Sequence, residues 1–207
     1  ADEINRANPR TQSALLEAMA ERQITQGRQT HRLGPPFFVM ATENPIEMEG
    51  TYPLPEAQAD RFMMKLSVSP PDKADLLRIL DVRPIDQLAA LRPCLQKAEL
   101  LAAQAHVASL PAADGVRGLI ADLVLATRPE AAPPRFRPLL QLGASPRGAQ
   151  ALLAAARARA AMAGRLHVTE ADVRALARPV LRHRILLGFA ARAEGVRADD
   201  VLDAIVG

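Results

Sequence analysis

The stretch FFVMATENP, residues 37–45, decides how this sequence is interpreted. Its first five residues form an unbroken apolar run with aromatic and β-branched members, which is typical of a strand buried on both faces of a parallel sheet. The polar residues Thr42, Glu43 and Asn44 follow directly. Because ligands of open α/β sheets bind beyond the carboxyl ends of the strands, the stretch predicts a polar site at one edge of a sheet.

A second polar motif, Asp2-Glu3, stands at the start of the chain. We expect it to emerge from the end of the neighbouring strand, so that it meets Asn44 at one site. Adjacent carboxylates can hold Mg²⁺ and polarise water, and an amide can position that water. Each residue also has an ordinary alternative. An Asp-Glu pair is common on protein surfaces, and an Asn before Pro45 favours a turn.

Two arginines complete this pattern, Arg61 in PEAQADRF (residues 55–62) and Arg147 in SPRG (residues 145–148). A guanidinium can neutralise charge on a transferring phosphoryl group. Arg147 falls in the first turn of a predicted helix, where a cation opposes the helix dipole unless an anion lies nearby. Arg61 could instead form a surface ion pair with Asp60 or Glu56, which would stabilise little. No G-x-x-x-x-G-K-[ST] motif is present, so the phosphate-binding loop that such a site requires lies outside this sequence.

These strings together resemble the AAA+ ATPases, and within them the MoxR branch. The similarity is carried by residues 2–6 (DEINR), 11–19 (TQSALLEAM), 41–62 and 180–184 (VLRHR). It extends over nearly the whole chain and is strongest over residues 1–62. Asn8 and Ala59 depart from the family pattern, which more often has an apolar residue or proline there.

The resemblance implies ATP and Mg²⁺ as cofactors and a role for each singled-out residue. Asp2 would hold Mg²⁺ through its water shell, and Glu3 would orient or deprotonate the attacking water. Asn44 would be the sensor-1 amide that contacts both the γ-phosphate and that water. Arg61 would reach into the nucleotide site of a neighbouring subunit, and Arg147 would be the sensor-2 arginine of its own site.

The fold implied is a partial P-loop NTPase (AAA+) parallel sheet followed by an all-α lid. We assign residues 1–70 to the C-terminal part of the α/β core and residues 71–207 to the lid, with Pro70-Pro71 as the hinge. Because the chain begins with Ala1 and no apolar strand precedes Asp2, we interpret it as part of a longer protein. Alone it is expected to be inactive.

The resemblance also implies self-association into a ring, expected to be a hexamer. This ring would serve chaperone-like maturation or assembly of protein complexes, with von Willebrand A domain proteins as partners. A magnesium-chelatase-type motor, a helicase-like remodeller and a non-catalytic interaction module stay open as alternatives. No chemical role follows for Arg182, His183 and Arg184, for which we expect lid packing or an intersubunit contact. Residues Glu47 and Glu49 indicate only an acidic loop.

Composition favours a cytoplasmic globular protein. Hydrophobic residues make up 49% of the 207, yet no stretch approaches the roughly 18 consecutive apolar residues of a membrane span or resembles a signal peptide. Cys94 is the single cysteine, and the four histidines lack metal-ligand spacing. The net charge is +3, but aromatic residues reach only 3%, which disfavours binding of single-stranded nucleic acid.

Periodicity and capping signals predict the remaining elements. We expect a helix over 9–21, a polar hairpin over 22–33, helices over 72–80, 96–109 and 113–127, and a loop over 128–143. Ser145 is the predicted N-cap of a helix that extends to about residue 163, with Pro146 at its first position. Thr169 and Asp172 predict a capping box for a helix that ends before Pro179. A last helix is predicted over 199–205.

Overall fold

A computed structural model describes residues 1–44, 52–81 and 91–207. The N-terminal part contains helix α1 (Pro9–Glu21), a hairpin of strands β1 (Gln23–Gln26) and β2 (Gln29–Arg32), and helices α2 (Glu56–Ala59) and α3 (Lys73–Asp81). The helical region, residues 97–206, contains helices α4 (Lys97–Ser109), α5 (Asp114–Ala126), α6 (Pro146–Met162), α7 (Glu170–Leu181), α8 (Phe189–Ala193) and α9 (Ala198–Val206), and strands β3 (Leu140–Leu142) and β4 (Leu186–Leu187). Short 3-10 helices span Ile4–Arg6, Arg137–Leu139 and Arg182–Arg184.

Side-chain caps fix where the main helices begin. Asn8 Oδ1 accepts a hydrogen bond from Thr11 N (2.9 Å) and starts α1. Ser145 Oγ accepts from Arg147 N (3.1 Å) and starts α6, with Pro146 at its first position. Such caps satisfy backbone donors that the first helical turn leaves unpaired. These predicted helix starts are confirmed, and Asn8, although unusual for the family pattern, has a structural role here.

The hydrophobic core lies in the helical region, where α5, α6, α7 and α9 pack together. Leu152, Val173, Leu181 and Leu202 have no measurable exposure to solvent. Burying a side chain of this size contributes about 1.5–3 kcal/mol. The helices of this region therefore supply one another with a core. Among the described residues, no helix is both long and apolar enough to cross a membrane.

The apolar run 37–41 does not form the predicted strand. It lacks regular secondary structure, and Phe38 is 80% and Met40 69% exposed. Among the described residues, Met40 at the end of the run and the adjacent Thr42 form backbone hydrogen bonds with Ala1 and Ile4. The strands that the structure describes form two antiparallel pairs, β1 with β2 and β3 with β4. The prediction of a strand buried on both faces is wrong for these residues, because burial requires neighbours on both faces.

Two further boundaries differ from the sequence predictions. Helix α7 continues through Pro179 to Leu181, although a proline lacks the amide that would bond to the preceding turn. Val180 and Leu181 are fully buried at its end. Their combined burial of about 3–6 kcal/mol offsets the cost of about 3 kcal/mol of a helical proline. The predicted loop over 128–143 contains β3, which pairs with β4.

Candidate functional site

The first residues of the chain lie beside the end of the 37–44 segment. Ala1 N donates to Met40 O (2.8 Å), and Ala1 O accepts from Thr42 N (3.0 Å). Ile4 N then donates to Thr42 O (2.9 Å). Ala1 thus bonds to Met40 and Thr42, the two residues on either side of Ala41. In a parallel pair of strands, each residue bonds in this way to the two residues that flank its partner. The two polar motifs therefore lie side by side, as the sequence predicts.

The carboxylates of Asp2 and Glu3 differ in their surroundings. Asp2 Oδ1 accepts from Thr42 Oγ1 (2.5 Å), which in turn accepts from Glu3 N (2.8 Å). Glu3 has φ of 46°, the left-handed conformation that costs a non-glycine residue about 1 kcal/mol or more. Its Oε2 lies 3.0 Å from Arg6 Nε.

Neighbouring amides hold the backbone of this site. Asn5 Nδ2 donates to Asn44 O (3.4 Å). The buried Gln12 donates from Nε2 to Ile4 O (3.1 Å) and Tyr52 O (2.9 Å). A buried amide that satisfies two carbonyls fixes the segments to which they belong. Helix α1 therefore connects the start of the chain to the segment that begins at Tyr52.

The donor set fits a magnesium ion bound together with phosphate. Mg²⁺ prefers oxygen ligands and usually takes one or two carboxylates, with water and phosphate oxygens in its other positions. Asp2, the residue predicted to hold it, offers an exposed carboxylate next to the Thr42 hydroxyl. The described ranges contain no cluster of three or more His, Cys, Asp or Glu side chains that could hold a metal by themselves. Glu47 and Glu49 lie outside the described residues.

A second cluster of charged residues surrounds Asp60, at the end of α2. Asp60 Oδ1 accepts from Arg184 Nε (2.9 Å), and Oδ2 accepts from Ser145 Oγ (2.8 Å). Arg147 Nη1 lies 3.6 Å from Oδ2. The side chain of Asp60, which is only 13% exposed, thus contacts both Ser145, the N-cap of α6, and Arg147, the predicted sensor-2 arginine.

Arg184 is buried at the centre of this cluster, with 2% of its side chain exposed. Its guanidinium donates to the carbonyls of Asp60 (3.0 Å), Phe62 (2.7 Å), Met63 (3.2 Å) and Val180. Burial lowers the pKa of Arg184, while the hydrogen bond to Asp60 and its charge oppose that shift. A planar fork with five donors can satisfy this many acceptors, which an ammonium cannot.

The two predicted arginines lie in different surroundings. Arg61 is exposed and has no hydrogen bond or ion pair from its side chain in the part of the chain that the structure describes. The alternative of an ion pair with Asp60 is therefore not realised there. Arg147 is 55% exposed and lines a cleft of about 400 Å³ together with Glu56, Asp60 and His183.

His183 lies between the two parts of the molecule. Its Nε2 is 3.0 Å from Phe62 O, and its buried Nδ1 has no partner among the described residues. Burial lowers its pKa to about 4, and the positive charges of Arg184 and Lys65 add to that shift. The bond to Phe62 O and the charge of Asp60 oppose it. His183 is therefore neutral at physiological pH.

Sequence reasoning did not identify the Asp60–Arg184 pair. It considered Asp60 only as a neighbour of Arg61 and found no chemical role for Arg182, His183 and Arg184. Arg182 and Arg184 pack within the predicted lid, against Asp199 and Val180, and all three residues also contact the segment 60–67 of the predicted core. A signal was available, because charged residues between two apolar stretches must find partners when they are buried.

Comparisons with known proteins identify the family to which the fold belongs. Residues 1–64 match the family described as ATPases associated with various cellular activities (AAA), and residues 132–205 match the AAA lid domain. A structure of a candidate ATPase from Cytophaga hutchinsonii superposes with a TM-score of 0.88 at 36% identity. The superposition covers 100% of this chain and 63% of the Cytophaga hutchinsonii chain. The fold is that of an AAA+ ATPase with a helical lid that includes residues 132–205.

Curated relatives narrow the class further. The uncharacterized protein YeaC of Bacillus subtilis (strain 168) is 42% identical over 207 residues, which are 100% of this chain and 62% of YeaC. Chaperone MoxR1 of Mycobacterium tuberculosis is 38% identical over 211 residues, which cover 100% of this chain and 55% of MoxR1. The chain belongs to the MoxR family of AAA+ ATPases. It spans a little over half the length of these relatives.

Proposed function

We propose that the full-length protein binds and hydrolyses ATP with Mg²⁺. The observation that carries this proposal is the parallel pairing that brings Asp2 and Glu3 beside Thr42 and Asn44, in a chain of the MoxR family. Mg²⁺, when bound with ATP, would neutralise charge on the phosphate oxygens. Asp2 is the carboxylate placed to hold it.

The other residues of the site each have a proposed task. Glu3 accepts a proton from the attacking water, once its carboxylate leaves the exposed pair with Arg6. Asn44 orients that water through its amide, which can donate and accept at once. Arg147 leaves its contact with Asp60 and binds a phosphate oxygen of the nucleotide in its own subunit. Arg61, exposed at the end of α2, contacts the nucleotide of a neighbouring subunit.

The proposal includes assembly and biological role. Subunits form a ring, which we propose to be a hexamer, because Arg61 completes a site only across a subunit boundary. A relative that is 38% identical is named a chaperone. We accordingly propose chaperone-like maturation or assembly of protein complexes in the cytoplasm, with von Willebrand A domain proteins as partners.

The first test separates binding from hydrolysis in the full-length protein. Glu3→Gln keeps the shape of the side chain but cannot accept a proton, so we expect unchanged ATP affinity and a kcat about 10²–10⁴-fold lower. Asp2→Asn should weaken magnesium-dependent binding as well. The matched control is Glu21→Gln, at the exposed end of α1. Steady-state hydrolysis that is unchanged in Glu3→Gln would refute the role of Glu3.

Arg61 is tested by mixing subunits. Arg61→Ala should bind ATP normally and lose roughly 10³–10⁵-fold in kcat. Mixed with Glu3→Gln, it should regain activity, because an intact Glu3 site then receives an intact Arg61 from its neighbour. Arg117→Ala, which removes an exposed arginine of α5, is the control. Inactive mixtures of subunits that exchange would mean that Arg61 acts within its own subunit or only forms a surface ion pair.

A further inference from the structure

The segment that follows Arg61 is fastened to the lid by the triplet 182–184. Lys65 N donates to Pro179 O (2.7 Å), and Arg182 Nη1 donates to Ser67 Oγ (2.8 Å). His183 Nε2 lies 3.0 Å from Phe62 O. The contacts with the lid thus begin at Asp60, about ten residues before the predicted hinge at Pro70-Pro71. The segment from Asp60 to Ser67 belongs structurally to the lid.

Arg184 holds the backbone on both sides of Arg61. Its Nη2 donates to Asp60 O (3.0 Å) and to Phe62 O (2.7 Å), the carbonyls that flank residue 61. The Arg61 side chain itself points to no partner among the described residues. A buried guanidinium that bonds the carbonyls of residues 60 and 62 fixes the backbone on both sides of Arg61, and with it the direction in which the Arg61 side chain leaves the backbone.

The glycine at the start of α6 leaves room for the side chain of Arg184. A Cβ atom added at Gly148 would lie 3.1 Å from Arg184 Cδ, closer than ordinary contact allows. Asp60 then connects the arginine to Ser145, the N-cap of the same helix (2.8 Å). The first turn of α6 carries Arg147, so one buried ion pair holds the turn of Arg61 and the helix start of Arg147 together.

We propose that Arg184 is the positioning residue for Arg61: paired with Asp60, it fixes the Arg61 turn to the lid at the helix start that carries Arg147. This inference rests on the proposed function, in which Arg61 acts on the nucleotide of a neighbouring subunit. Movement of the lid in one subunit then moves the arginine that completes the next site. Misplacing a catalytic group by about 1 Å can lower a rate about 10²-fold. Loss of the Arg184 guanidinium, which would misplace Arg61, should therefore lower kcat.

The variant that tests this is Arg184→Lys in the full-length protein. Lysine keeps the charge but cannot donate from one plane to Asp60 Oδ1 and the two flanking carbonyls. We expect ATP affinity to change by less than about twofold, and kcat to fall by about 10²-fold. Asp60→Asn, which removes the charge that pairs with Arg184, should also lower kcat and serves if Arg184→Lys does not fold. ATP affinity is compared for Arg184→Lys alone, because Asp60 also contacts Arg147.

The matched control is Arg165→Lys. Arg165 forms an ion pair with the buried Asp172, whose side chain is 2% exposed, while the Arg165 side chain itself is 33% exposed. That pair does not contact the segment 60–67. Arg165→Lys should lower the melting temperature, as Arg184→Lys does, and leave kcat within about twofold. An equal loss of kcat in both variants would mean that lid stability alone sets the rate, and would overturn the inference.

Mixing decides on which side of the subunit boundary Arg184 acts. Arg184→Lys mixed with Glu3→Gln should regain activity, because the Glu3→Gln subunit still presents a well-placed Arg61. Arg184→Lys mixed with Arg61→Ala should stay inactive, because both fail in the same task. If only Arg61→Ala is complemented by Glu3→Gln, the inference is wrong while the proposed function stands. If neither is complemented, both are overturned.

Discussion

Residues 1–44 bury only Ile4, Gln12 and Ala18, whereas every other buried side chain among the described residues lies between Leu110 and Leu202. The N-terminal part carries the carboxylates of the proposed site, and the lid carries nearly all of the core. Contacts from the lid hold the Asp60 turn, and backbone pairing holds the carboxylates. The carboxylates of the proposed site and most of the buried core are thus located in different parts of this chain.

The largest effect is expected in the lid core. Leu152→Ala removes a side chain with no exposure, and should lower the free energy of unfolding by about 3–5 kcal/mol. Urea denaturation followed by circular dichroism measures it. Leu80→Ala in α3 is the control, since Leu80 is 80% exposed and its truncation should stay within about 0.5 kcal/mol. Equal losses would mean that the two regions contribute alike.

A pH dependence of intermediate size is expected where the two regions meet. The folded protein lowers the pKa of His183 from 6.5 to about 4, so the unfolded chain binds the proton more tightly. The contribution to stability is therefore complete above about pH 6.5 and is lost as the pH falls towards 4. We expect a loss of about 2 kcal/mol, reduced because the ring is partly exposed.

The measurement is urea denaturation at several pH values between 4 and 7. His183→Gln should flatten the dependence over that range, because no proton is then taken up on unfolding at this position. His106→Gln, which changes an exposed histidine of α4, is the control and should keep the slope. A slope that survives in His183→Gln would assign the dependence to another group.

The smallest effect is expected at an exposed ion pair that joins Glu43 to Lys65, in the segment held by the lid. Lys65 Nζ lies 2.7 Å from Glu43 Oε2, with the side chains 51% and 37% exposed. Lys65→Met should cost only about 0.2–1 kcal/mol, and salt should weaken the difference further. Thermal melts at low and high salt measure it, with Lys97→Met as the control. A loss that does not depend on salt would point to packing of the lysine stem.

Local chemistry made much of the lid predictable from sequence. The caps at Ser145 and at Thr169 with Asp172 bond to backbone groups two or three residues away, and Ser145 and Thr169 start their helices as predicted. Hairpin β1–β2 was predictable for a similar reason, because a glycine favours the left-handed turn conformation. Gly27 adopts a φ of 63° there. Features that depend on neighbours in the sequence can be derived from the sequence.

Residues 37–41 and Pro179 show where that reasoning ends. The apolarity of the run indicates that burial would be favourable, but only packing partners can supply it, and Phe38 stays exposed. Pro179 predicts a helix end, yet the burial of Val180 and Leu181 carries the helix past it. In both cases, contacts made elsewhere in the molecule outweigh the local preference.

The sequence by itself determined the MoxR resemblance, the residues proposed for catalysis and the caps of the helices, because motifs and caps are local patterns. Only the tertiary structure decided that Asp60 pairs with Arg184, 124 residues away, and that the Arg61 turn is fastened to the lid. Any buried guanidinium needs a partner, but many carboxylates could serve. The choice among them follows from how the helices pack, which no local pattern encodes.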